Sequence, residues 1–291
     1  RGLGDVYKRQ LISKVGPDVI KPRIYKLKAY SYKALSDFTN AQKNADDYFS
    51  KVKPEDIVPK DYELYGDILA GISGSETKAY SYYEKAMAAD TLEENKSAYL
   101  QKAADLAKRL KDKPGIVYWL QKQFDNKKNP NNVDMYNLGR AYFDAGDADF
   151  ANFTKAYNIF GKYAEKYPEQ PFGYYWQGRC AWSIDTSMVN SMANPHFEKF
   201  VQVVYASKDS ASFFPQVKIA YKYFVGYNIF IKKDYKTAIE FCNKILLIDP
   251  NDREAQEYLR SLTGGKQQGQ ATPASGTKPA GAKPGTTPAP R

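Results

Sequence analysis

The chain has 291 residues and a formal charge of +10, with 43 lysines and arginines against 33 acidic residues, one histidine and two cysteines. The excess sits at the ends: residues 1–33 hold nine basic against two acidic side chains and residues 263–291 hold four against none, which leaves 30 against 31 between them, a body without the positive field that tracks nucleic-acid phosphates. A single histidine takes away the usual base for triad chemistry and most metal sites, and two cysteines make no disulfide framework.

Residues 1–10, RGLGDVYKRQ, carry neither an initiating Met nor an apolar run, resemble translated adaptor sequence, and read as foreign to the fold, which makes the chain an N-terminally incomplete one. Leu11 to Val15 reads as the tail of a lost repeat closed by Gly16-Pro17. From Pro22 to Pro54 two helical faces follow, Tyr25, Ala29 and Tyr32 on the first and Ala41, Ala45 and Tyr48 on the second. Pro59 to Thr91 repeats this with Tyr62, Tyr65, Gly66 and Leu69, a turn rich in Gly and Ser, then Ala79, Tyr83 and Ala86. Leu92 to Asn129 is a degenerate copy: Tyr99, Ala103 and Leu106 mark a first helix, Lys113-Pro114-Gly115 is expected to break it, and Trp119 with Lys122 falls in the second.

Asn132 to Pro168 is clear again, with Met135, Leu138, Gly139 and Tyr142, then Ala156, Phe160 and Tyr163, and extra residues in a turn around Asp147 to Thr154. Asp144, Asp147 and Asp149 lack the ligand spacing and terminal Glu of a calcium loop and read as solvated acids. Pro171 to Ser207 places Tyr174, Gly178 and Ala181 on its first helix, a polar connection from Asp185 to Asn194, and His196, Phe200 and Val203 on its second. In the last unit Lys222, Val225, Gly226 and Ile229 precede a turn at Lys232 to Tyr235, then Ala238, Cys242 and Ile245, before Asp249-Pro250 stops the helix. Arg253 to Leu262 suits a solvating cap, and residues 263–291, without a large apolar side chain, read as a disordered Pro/Gly/Ala/Thr/Lys-rich tail. Cys180 and Cys242 read as small buried apolar residues; whether they pair stays open.

This spacing resembles the tetratricopeptide repeat, two antiparallel helices with a period of about 34 residues and a W-x2-L-G-x2-Y, A-x3-F, P pattern. Gly226 is then the close-approach position and Ala238 its small partner, with Cys242 and Ile245 filling the gap beside them. The resemblance implies an all-α, right-handed α-solenoid of about six repeats over residues 11–262, an interaction scaffold without enzymatic activity or cofactor that holds an extended peptide or partner helix. The low-complexity tail on a Lys- and Tyr-rich body also resembles repeat proteins of the bacterial cell envelope.

In such a solenoid the positions three before, one after and four after the packing Gly share the inner face of the first helix. They are Tyr136, Arg140 and Phe143 in the fourth repeat, Tyr175, Arg179 and Trp182 in the fifth, and Tyr223, Tyr227 and Phe230 in the sixth. Tyr, Trp and Arg supply most interface energy, so these nine form the expected peptide-binding set; the alternative is that the rings only thicken the inner helix layer. A carboxylate clamp of Lys and Asn is not supported, since Tyr30 follows Lys26 where Asn is needed. The other readings are a glycan or cell-wall groove of stacked aromatics, and self-assembly through the end faces.

Overall fold

The computed structural model describes residues 21–264, so the readings of residues 1–10 as foreign, of Leu11 to Val15 as the end of a lost repeat and of the tail from residue 265 onward fall on residues outside it. Among the described residues there are thirteen α-helices and no strand. They divide into two units at residues 128 and 129.

The first unit has three helix pairs: α1 (Pro22–Ala34) with α2 (Phe38–Lys51), α3 (Pro59–Leu69) with α4 (Glu76–Ala89), and α5 (Glu93–Leu110) with α6 (Lys113–Asp125). The second unit has α7 (Asn132–Ala145) with α8 (Ala151–Lys166), α9 (Pro171–Ile184) with α10 (Asn194–Ala206), α11 (Phe214–Tyr227) with α12 (Tyr235–Ile248), and a terminal α13 (Arg253–Gly264) on α12. Pro22, Pro59 and Pro171 open helices where a missing N–H costs nothing. Asp37, Asp112, Asn131 and Asp234 cap others, each side chain accepting a backbone N–H three residues on. The apolar faces read from the sequence point inward: Ala29, Ala41, Ala79, Ala156, Ala181 and Ala238 are fully buried, as are Phe160, Tyr163 and Cys242.

Three local expectations are corrected. Lys113-Pro114-Gly115 does not break a helix but opens α6; the break is Lys111, left-handed at φ 56°, after which Asp112 caps the new helix through the Gly115 N–H. In the fourth repeat Ala151 to Thr154 are helical, so most of the extra length extends α8, with Phe153 buried under Gly146. In the fifth repeat the inward face of α10 is Ala193, Phe197, Phe200 and Val204, one residue later than His196 and Val203 at two of three positions. Ala193 and Met188 bury themselves from within the connection, a contribution that its polar composition conceals.

The packing glycines separate into two kinds. A Cβ on Gly66 would stand 2.8 Å from the Tyr83 ring, on Gly139 2.6 Å from Phe160, and on Gly178 2.7 Å from Phe197, so there the bare backbone admits an aromatic ring. Gly226 is different, because Cys242 replaces that ring and the nearest atom to an added Cβ is Met188 Cε at 3.5 Å. The expected crossover role of Gly226 against the second helix is therefore not what the site requires. Gly178→Ala is expected to lose about 1–3 kcal/mol by overpacking against the buried Phe197, whereas Gly226→Ala is expected to gain up to about 1 kcal/mol from helix propensity. Urea midpoints of the two variants check this; equal losses would contradict it.

Beyond Tyr227 the chain makes a π-helical turn, Asn228–Lys232, before Lys233 adopts the left-handed conformation. Asn228 is buried and donates from its side chain to the Phe224 carbonyl one turn back.

Candidate functional site

The first helices of the second unit, α7, α9 and α11, carry eight of the nine expected residues, Phe230 lying in the π-helical turn after α11, and α9 touches both α7 and α11. That neighbourhood decides where the side chains go. Tyr136, Phe143, Tyr175, Arg179, Tyr223 and Tyr227 are buried, at 1–8% exposure, while Arg140 and Trp182 are half-buried and Phe230 is 44% exposed. Six of the nine are thus packed inside the helix layer, Phe143 against Trp176 of the next first helix and Tyr175 against Phe197 and Phe200 of the second helix of its own repeat. Three keep an open surface.

Trp176, absent from the expected set, is the centre of this layer. It is 1% exposed, stacks on Phe160 with ring centres 5.8 Å apart, and meets Phe143 edge-on at 5.2 Å. The Arg140 guanidinium lies over its face at 4.0 Å and the Arg179 guanidinium at 5.8 Å. Arg140 is held there by Asp144 on the next turn, at 3.1 Å, and Arg179 donates to the Tyr175 hydroxyl at 3.1 Å. Stripped of water, a guanidinium on an indole face contributes about 2 kcal/mol. Between them lies the Tyr136 hydroxyl, hydrogen-bonded to Arg140 and Trp176, its pKa raised by burial. Farther along, Trp182 meets Tyr223 edge-on at 5.3 Å, and Tyr223 stacks on Tyr227 at 6.1 Å.

The equivalent helices of the first unit, α1, α3 and α5, carry charge in place of rings. Lys33 and Lys102 both reach Asp67, at 2.5 and 2.8 Å, and Lys102 also reaches Glu63 at 2.8 Å. Burial alone would push the Asp67 carboxyl up, but hydrogen bonds from Lys102 and Lys33 outweigh it and hold the group below the usual carboxylate range. Lys26, the residue that a carboxylate clamp would use, is taken by Asp61 at 2.5 Å. The spacings of 34 and 35 residues from Lys33 to Asp67 and from Asp67 to Lys102 were readable as charges alternating at the repeat period.

His196 is half-buried against the Tyr157 hydroxyl at 2.9 Å, with burial lowering its basicity. Cys180 and Cys242 are separate free thiols; burial pushes both up, Cys242 to about 11, so both stay protonated at neutral pH. Among the described residues no group of three or more His, Cys, Asp or Glu could hold a metal ion, and no helix is long and apolar enough to cross a membrane.

No family model and no curated protein matches the chain. Among solved structures, the C-terminal part of a TPR repeat-containing protein from Cytophaga hutchinsonii is similar over 87% of this chain and 92% of its own, at 26% identity and a TM-score of 0.57. The chain is a tetratricopeptide-repeat protein. Two weaker likenesses are to YrrB, described as a TPR protein with an unusual peptide-binding site (16% identity, 68% of this chain, 89% of that one, TM-score 0.43), and to the TPR2AB domain of yeast Sti1 in complex with an HSP90 peptide (13%, 83%, 98%, 0.32). In tetratricopeptide terms, Trp176 sits two residues before Gly178, inside the first helix of its repeat, and its face is what positions Arg140 and Arg179.

Proposed function

We propose that this tetratricopeptide-repeat protein is a non-enzymatic scaffold that binds another polypeptide on the first-helix face of its second unit. The observation that carries the reading is the triplet Arg140, Trp182 and Phe230, which keep open surface on α7, on α9 and in the π-helical turn that follows α11, beside a buried aromatic layer. A large side chain held by buried neighbours loses little freedom on binding, and Trp and Arg are the side chains that make such contacts strong. A glycan groove needs several open ring faces, and the burial of Tyr136, Tyr175, Tyr223 and Tyr227 argues against it.

The test is the triple variant Arg140→Ala, Trp182→Ala, Phe230→Ala, with helix content checked by circular dichroism. Proteins retained by the immobilised wild type are expected to be lost by the variant, whereas its mass in solution and its retention on insoluble glycan are expected to stay as they were. A folded variant that keeps every captured protein would sink the proposal; a changed mass would move it to self-assembly, and a lost glycan retention to sugar binding.

A further inference from the structure

The connection between α9 and α10, residues 185–193, does not lie free on the surface. Met188 is 5% exposed, and its Cε and Sδ stand 3.5 and 3.9 Å from the point that a Cβ on Gly226 would occupy, with a ring carbon of Phe230 also at 3.9 Å. Three residues on, the Ser191 hydroxyl is 2.8 Å from the Tyr227 hydroxyl, and Asn194, at the start of α10, accepts the Tyr223 hydroxyl at 2.6 Å. A segment of the fifth repeat is thus seated on the open side of the sixth, across three of the nine positions singled out from the sequence.

The seat, rather than the segment, sets this conformation. Met188 and Ser191 both lie in the left-handed region, at φ 61° and 56°, which costs an L-residue about 1–2 kcal/mol each. Two such residues within four positions are not the chain's local preference. They persist because Met188 fills the socket over Gly226 and Ser191 ties to Tyr227. An unbranched thioether is also the side chain that adapts best to an irregular apolar socket.

We propose that residues 185–193 are a built-in plug in a peptide socket formed by Gly226, Phe230, Tyr223 and Tyr227. The partner that fits the socket is a turn-forming segment with an unbranched apolar side chain and a hydroxyl three residues later, the pattern that Met188 and Ser191 present in consecutive turns. The inference rests on the docking reading above and names the chemistry of its partner.

The experiment uses the full chain and the nonapeptide DTSMVNSMA, the sequence of residues 185–193, with a fluorescent label. In Met188→Gly the socket is emptied while φ 61° becomes free of strain, so the fold is expected to hold; Met188→Ala is the second variant, and circular dichroism checks both. A plug closed for nine-tenths of the time weakens apparent binding about tenfold, so the variants are expected to bind the peptide about tenfold more tightly than the wild type. Replacing the peptide's first Met by Gly is expected to abolish that gain. Equal binding by wild type and folded variants, or none by any of them at about 1 mM, the effective concentration of a short tether, overturns the plug. This readout involves no cellular partner, so it stands or falls separately from the capture experiment.

Discussion

Trp176→Ala is expected to cost the second unit about 3–5 kcal/mol, the range for truncating a fully buried ring that its surroundings cannot replace. The indole is 1% exposed and shares faces or edges with Phe160, Phe143 and Tyr175, so its removal leaves a cavity walled by rings that themselves stand on α7, α8 and α9. The Arg140 and Arg179 guanidiniums would lose their shared platform at the same time. Trp176→Phe should lose less, because it keeps most of the buried ring and gives up only the indole bond to the Tyr136 hydroxyl. Urea unfolding followed by far-UV circular dichroism measures both, with Tyr205→Ala, at 52% exposure, as the surface control. A loss under about 1 kcal/mol for the alanine variant would mean that the ring is not the keystone of this layer.

The second large effect is expected in the first unit, where Asp61→Ala should also cost about 3–5 kcal/mol by stranding the groups that Asp61 serves. Asp61 is 1% exposed; it accepts the Tyr48 hydroxyl at 2.5 Å and the Val58 N–H at 3.2 Å, and pairs with Lys26 at 2.5 Å. One carboxylate therefore joins α1, α2 and the start of α3. Asp61→Asn keeps an acceptor for Tyr48 and should recover part of the loss. Hydrogen exchange resolved by peptide is the sharper readout: amides of α2 and α3 should lose protection first in the alanine variant, and unchanged protection there would refute the assignment.

Much of this architecture was legible in the chain itself, for reasons that particular residues show. Ala29, Ala41, Ala79, Ala156 and Ala238 recur at helical spacing beside large apolar side chains, and nothing but a helix pair buries that pattern, so the six pairs follow from periodicity. Connections were harder. Lys111 ends α5 through a left-handed turn that its residue type does not announce, and Ala193 lies in the α9–α10 connection although it packs like a helix residue. The nine positions fall on or just beyond the first helices α7, α9 and α11, but spacing alone does not distinguish a side chain with an open face from one packed inside the helix layer. Tyr175 and Trp182 illustrate the point: same helix, same face, 3% exposed against half-buried. Trp176 escaped notice because it precedes the packing Gly by two, off the face under scrutiny. The Lys33, Asp67, Lys102 series is invisible to net charge, because its lysines and carboxylates cancel in any sum and stand out only at the repeat period.

The lysine–carboxylate series of α1, α3 and α5 and the indole-centred layer of α7, α9 and α11 answer differently to dissolved ions. At 1 M salt the screening length shrinks to about 3 Å, close to the separations within the first series, so concentrated chloride weakens what ties those helices together. Ammonium sulfate strengthens apolar burial and so favours the ring layer. Brine chemistry thus becomes a dial by which the first unit can be loosened while the second is held.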